Sequence, residues 1–307
     1  MSDKLRNLIV RTLSGAVLLA VVFAAAWYGM MSYRALLLVI GIVGLGEFYV
    51  LAKRRGAEPQ YGMGLIAAVA LMNGGYYLFE YIFDACGCSN VLVMLLAMLI
   101  IFIFFLFAIF VREVFRNRPT PIFNIATTVM GVVYVALPMT IMIVIPALLK
   151  GGAVWSPWYF LWYLFLVWGN DVFAYLTGVC FGKHKMCPRL SPGKSWEGTA
   201  GGYLFSLGAA AIVVACAHLL PNAAILEGVR ELTASFGAGL WFFISIAILV
   251  TVGICGDLLE SLFKRQCGVK DSSALFPAMG GFFDTFDSVI FIPATMLFLI
   301  ALGKILL

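Results

Sequence analysis

Nine apolar runs, each near the length needed to cross a bilayer, divide this chain at roughly 10–29, 34–53, 61–81, 90–111, 122–148, 157–179, 201–220, 236–263 and 286–306. No soluble core of 307 residues can bury that much apolar surface: 63% of the residues are hydrophobic, 11% are charged, and the mean hydropathy is +1.04. The expectation is an all-α polytopic membrane protein of about nine transmembrane helices. It forms a single integral-membrane domain over 1–307, with N-terminal helices in 1–155 and the chemistry-bearing half in 156–307.

Charge sets the expected orientation. With the N-terminus cytoplasmic, sixteen of the twenty Lys and Arg residues fall on the inner side, and only Arg34, Lys150, Arg230 and Lys304 fall outside. That bias predicts N-in and C-out, multi-pass in the inner (plasma) membrane. The basic start and apolar run of residues 1–26 look like a signal peptide, but the run continues into Trp27-Tyr28 and a second span, so it reads as a retained first helix. The seven cysteines form neither a CxxC pair nor a zinc-spaced cluster, and Cys86-Gly-Cys88 is too tightly spaced to favour a bridge. No fixed-period repeat argues for a transporter built from two halves.

Polar residues concentrate in two stretches predicted on the same face. In the first, Asn170-Asp171 precedes Gly182-Lys183-His184-Lys185 and then the run Ser191 to Gly198, which holds Lys194, Trp196 and Glu197. The second spans 253–288. Its Asp257, Ser261 and Lys264 share a helix face, Arg265, Lys270 and Asp271 follow, and Gly280-Gly281 precedes Asp284 and Asp287. A charge near the bilayer centre costs about 2.5–3.5 kcal/mol, so carboxylates at 47, 171, 257 and 260 need compensation. Carboxylates converging from two helix ends suit a hard divalent ion, with Mg²⁺ the natural candidate. Surrounding lysines suit polyphosphate. Glu47, close to Lys53-Arg54-Arg55, reads as an interfacial residue, protonated or paired to a neighbouring Lys or Arg, and His184 reads as a solvated bystander. The Pro192-Gly193-Lys194-Ser195 run lacks P-loop spacing, and no D-G-x-x-D-G arrangement is found.

These residues resemble the phosphatidate cytidylyltransferase (CDP-diacylglycerol synthase) family. Its C-terminal signature is matched by Ser261-Leu-Phe-Lys264-Arg265, Lys270-Asp271, Pro277, Gly280-Gly281, Asp284 and Asp287, and the 170–175 and 191–198 stretches are also similar to it. Met279 stands where the family has His, and Thr285 where it has Arg. The resemblance implies transfer of a cytidylyl group from CTP to phosphatidic acid, with Mg²⁺ as cofactor. It implies metal at Asp257, Asp284 and Asp287, and further catalytic roles for Ser261, Lys264, Arg265, Lys270 and Asp271. Substrate contacts fall to Asn170, Asp171, Ser191, Lys194, Trp196 and Glu197. The partners are CTP, phosphatidic acid and membrane lipid, with no nucleic acid, and a homodimer is compatible. The phosphate monoester is already anionic near neutral pH, so the missing histidine removes no obligatory base. Losing the arginine takes away a fixed charge worth about 1.5–3 kcal/mol in a charge-assisted contact. Two rival readings remain at this level: a catalytically reduced member that binds lipid or nucleotide as a regulator, and a transporter with intramembrane ion sites.

Overall fold

The computed structural model describes residues 3–86, 91–149, 158–220, 226, 229–230, 233–276 and 280–306. Its helices are α1 (Asp3–Tyr28), α2 (Met30–Arg54), α3 (Tyr61–Cys86), α4 (Val91–Arg116), α5 (Pro121–Gly131), α6 (Leu137–Leu149), α7 (Trp158–Phe181), α8 (Trp196–Leu219), α9 (Phe236–Gln266) and α10 (Phe282–Leu306). Residues Val132–Ala136 wind as a π turn that makes α5 and α6 continuous, and a short hairpin of β1 (Lys185–Cys187) and β2 (Ser191–Ser195) precedes α8.

Among the described residues seven helices are long and apolar enough to span a membrane: Met30–Arg54, Leu96–Arg116, Pro121–Ile145, Phe160–Phe181, Trp196–Leu219, Gly237–Gln266 and Phe282–Gly303. The chain is therefore an all-α polytopic membrane protein. Two further runs of the expected nine are shorter, Thr12–Tyr28 and Tyr61–Gly74. Both belong to longer helices, since α1 and α3 each run for 26 residues.

The chain divides into two compact units. The first comprises Met1–Pro157 with Leu262–Pro293. Its core is built around α2, where Tyr33, Leu37, Leu45, Phe48 and Tyr49 are buried with Leu71, Met72, Val135, Met139, Ile143, Phe283 and Phe286. Lipid offers helices no hydrophobic drive to associate, so close approach at small residues does the work. A Cβ on Gly131 would stand 2.5 Å from Tyr49 Cε1 and 2.7 Å from Leu45 Cδ1, so α5 reaches α2 only because residue 131 is glycine. The buried phenols find backbone acceptors: Tyr49 donates to Thr128 O at 2.8 Å and Tyr33 to Met142 O at 2.7 Å. At the α4–α5 corner, buried Glu113 accepts from Gln60, Asn124 and Arg116 at 2.7–2.8 Å, which fixes the α2–α3 connection.

The second unit comprises Trp158–Ser261 with Ala294–Leu307. Helices α7 and α8 meet along a seam of small residues. Cβ atoms on Gly198, Gly201 and Gly202 would run into Ala174 O, Thr177 and Asn170 respectively, and Phe173 stacks on Phe205 with centroids 4.1 Å apart. Ala210 of α8 packs on Ile246, Val250 and Ile254 of α9, which carries that helix alongside.

Candidate active site

In the second unit, the hairpin and the start of α8 form one hydrogen-bonded corner. Ser195 caps α8, its hydroxyl accepting from Gly198 N at 3.1 Å, and Trp196 N donates to His184 O at 2.9 Å. Glu197, in the first turn where the helix dipole favours an anion, accepts from Lys183 N at 3.1 Å and His184 N at 3.1 Å, and its Oε1 lies 2.5 Å from His184 Nδ1. His184 is solvated, as expected, with its side chain 79% exposed, but it is not a bystander, because the hairpin folds its ring back onto Glu197 at the helix start. Register pairs Lys185 with Ser195 and Cys187 with Ser191, which sets Lys194 in β2. The Lys194 ammonium forms an ion pair with Asp257 of α9. Ser261 Oγ lies 3.4 Å from the other Asp257 oxygen, and Glu260, one turn along, is fully buried. Asn170 is buried against Gly202, while Asp171 beside it is exposed and Trp196 is largely exposed.

In the first unit, α9 ends in a Schellman motif. Gly268 takes φ +69°, Gly268 N donates to Arg265 O at 3.1 Å, and Val269 N donates to Lys264 O at 3.0 Å. The chain then turns, with Lys270 and Asp271 exposed, and Cys267 Sγ lies 3.3 Å from Leu51 O. Burial pushes the Cys267 thiol up, against the opposing pull of Arg55 and Arg54. Phe276 and Gly280 exchange backbone hydrogen bonds at 2.8 and 3.1 Å before α10 begins.

Asp284 sits in the first turn of α10 and gathers this segment. Its Oδ1 takes the Lys264 ammonium at 2.7 Å, and its Oδ2 takes Gly281 N at 2.7 Å, Ser272 N at 2.8 Å and Ser272 Oγ at 2.8 Å. Thr285 Oγ1 donates to Gly281 O at 2.9 Å, and half-buried Asp287 accepts from Ser288 N. Asp284 thus already holds a cation, Lys264, which is itself one of the signature positions. Arg265 Nη1 donates to Val269 O at 3.3 Å. Pro277 and Met279 lie outside the described residues.

The residues singled out in the sequence thus fall into two groups. The second unit joins Lys194, Asp257 and Ser261, with Ser195 and Glu197 at the hairpin corner. The first unit joins Lys264 to Asp284. The residue that sequence reasoning passed over is Glu47. Rather than pairing with the basic end of α2, it accepts from Ser273 Oγ at 2.6 Å, Phe283 N at 2.8 Å, Ser272 Oγ at 3.0 Å and Phe282 N at 3.2 Å. The one signal available was a carboxylate within an apolar run, just after Gly44 and Gly46.

Fold and site together define a polytopic membrane protein in which lysines are laid on helix-borne carboxylates. The chain belongs to the cytidylyltransferase family, whose profile matches residues 9–302. It is 44% identical over 132 residues to a phosphatidate cytidylyltransferase of Haemophilus influenzae, covering 43% of this chain and 42% of that protein. It is 44% identical over 124 residues to one from Pseudomonas aeruginosa, covering 40% of each chain. A phosphatidate cytidylyltransferase of Aquifex aeolicus is 35% identical over 150 residues, 49% of this chain and 50% of that one. The chain spans half or less of the length of these relatives.

Proposed function

We propose that this chain transfers the cytidylyl group of CTP to phosphatidic acid, giving CDP-diacylglycerol and pyrophosphate in phospholipid synthesis. The observation that carries the reading is the Lys194–Asp257 ion pair. It joins, inside one unit, the 191–198 run to the first residues of the 253–288 stretch, the two regions on which the family resemblance rests. A lysine parked on a carboxylate is also a lysine available to a phosphate once that carboxylate is otherwise engaged.

A phosphatidic acid oxygen attacks the α-phosphorus of CTP, and the bond from that phosphorus to the oxygen bridging to the β-phosphate breaks, so pyrophosphate leaves. The attacking monoester is anionic near neutral pH and needs no general base from the protein. Lys194, Lys264, Arg265 and Lys270 neutralise the phosphates and spread the charge that develops on the leaving group. Ser261, next to Asp257, and the exposed Asp271 complete the polar set, and Asn170, Asp171, Ser191, Trp196 and Glu197 contribute to substrate contact.

The donor chemistry fits Mg²⁺: Asp257 and Glu260 put hard carboxylate oxygens one turn apart on α9. The assignment of metal to Asp257, Asp284 and Asp287 belongs to the same proposal: these carboxylates would hold the ion, and Lys264, paired with Asp284, would keep a positive charge beside it. When bound, the ion would supply Lewis-acid charge to phosphate oxygens. Nine spans, an N-terminus in the cytoplasm, a C-terminus outside and a cytoplasm-facing site in the inner membrane complete the reading, supported by the one-sided distribution of Lys and Arg.

Purified protein in detergent, given CTP, phosphatidic acid and Mg²⁺, should yield CDP-diacylglycerol, with product lost on chelation and in Asp257→Ala. No product with any divalent ion would end the proposal.

A further inference from the structure

Helix α10 begins without a capping side chain. Its first residue is Phe282, so the capping position falls on Gly281, where serine, threonine, asparagine or aspartate would ordinarily accept the first-turn N–H groups. Asp284 answers half of the need, reaching back to Gly281 N at 2.7 Å as the third residue of a capping box does. The N–H groups of Phe282 and Phe283 go elsewhere, to the two oxygens of Glu47 at 3.2 and 2.8 Å. Glu47 belongs to α2, more than 230 positions earlier in the chain, and lies in the same compact unit.

The glycine is required by this arrangement. A Cβ at Gly281 would fall on the Glu47 carboxylate and on Ser272 Oγ. The helix therefore gives up its own cap to admit a carboxylate from another helix. The same carboxylate takes the hydroxyls of Ser272 and Ser273 at 3.0 and 2.6 Å, and Ser272 Oγ also lies 2.8 Å from Asp284 Oδ2. A hydroxyl has one proton, so Ser272 couples the two carboxylates and cannot fully satisfy both as a donor. The chain of contacts runs from Glu47 through Ser272 to Asp284 and on to Lys264.

We infer that Glu47 is a positioning residue for the 272–284 turn: it supplies from α2 the cap that Gly281 lacks and so fixes Asp284 and, through it, the Lys264 ammonium. This rests on the nucleotidyl-transfer reading for its kinetic consequence but not for its structural one. Glu47 touches no substrate in this scheme. Its removal acts on alignment in the transition state, where displacement by about 1 Å costs on the order of a hundredfold.

Glu47→Gln is the direct test. A glutamine keeps the shape but turns an NH₂ group toward N–H and O–H donors where an oxygen stood, so part of the cap is lost. With wild-type protein turning over, the variant should lose roughly thirty- to a hundredfold in kcat while KM for CTP and for phosphatidic acid stays within about threefold. Hydrogen exchange in the same micelles should show the amides of 281–284 losing protection, with α5 and α6 unchanged. A kcat within threefold of wild type overturns the inference, as does a loss that falls on KM alone. Should Glu47→Gln fail to fold, Ser273→Ala, which removes one of the four donors, decides: several-fold slower turnover at unchanged KM supports the inference, and wild-type turnover overturns it. Should the wild-type protein itself make no product, the transferase reading falls, and exchange at 281–284 alone decides the cap: lost protection in Glu47→Gln supports it and unchanged protection overturns it.

Discussion

Lys264 and Asp284 form an ion pair at 2.7 Å with side chains only 13% and 6% exposed, closing a turn that brings the end of α9 onto the start of α10. With both groups withdrawn from water, breaking the pair from one side leaves an uncompensated charge and costs about 3–5 kcal/mol. Lys264→Met should therefore lower unfolding stability in detergent by that order. The double variant Lys264→Met/Asp284→Asn should recover part of the loss, because the charge left behind is gone as well. Chemical denaturation of the four proteins in one micelle system measures the cycle, and additive losses would show that the pair is not coupled.

Gly281 and Gly193 make a matched contrast. A methyl group at 281 has nowhere to go between Ser272 Oγ and the Glu47 carboxylate, whereas at 193 it meets nothing within 4 Å. Gly281→Ala should cost about 1–3 kcal/mol, the usual penalty for forcing atoms into filled space. Gly193→Ala should stay within about 0.5 kcal/mol of wild type. Thermal unfolding of both variants checks the difference, and equal stability would remove the steric account of Gly281.

How much of this was legible in the sequence depends on separation along the chain. The face shared by Asp257 and Ser261, and the glycines ahead of Asp284, could be read because helical spacing is local. Lys194 and Asp257 could be placed on the same side but not in contact. Glu47 could not be placed at all: its donors lie at 272–283, and within its own helix the nearest cations offered a simpler partner. The pairing of His184 with Glu197 was missed for a related reason. A hairpin of three and five residues, with a register shift between Lys185 and Cys187, carries almost no periodic signal, so nothing announced that the histidine would fold back on Glu197.

Glu197 should govern the hairpin more than any apolar contact does. Its carboxylate collects the N–H groups of Lys183 and His184 together with the His184 ring, all on the exposed side of the unit. Glu197→Ala strips those acceptors and frees a segment holding two exposed lysines. Trypsin should then cut after Lys183 and Lys185 about tenfold faster than in wild type. Peptide mapping over a time course gives the rates, and unchanged cleavage would assign the hairpin's order to the β1–β2 pairing instead.

Thr285 bears on whether this chain is a weakened member of its family. Replacing the expected arginine looked like the loss of a cation beside Asp284, yet Lys264 already occupies Oδ1, and the other oxygen holds three donors. Thr285 itself donates to Gly281 O at 2.9 Å and steadies the same turn. An arginine introduced here would arrive at a carboxylate with no oxygen to spare and would forfeit that hydroxyl bond. Thr285→Arg should accordingly leave CDP-diacylglycerol formation within about threefold of wild type or lower it, since a neutral hydrogen bond is worth only about 0.5–1.5 kcal/mol. A tenfold gain on this single change, measured at saturating CTP and phosphatidic acid, would mean that Lys264 alone does not meet the need for charge at Asp284 and that the native chain runs below its family's capacity.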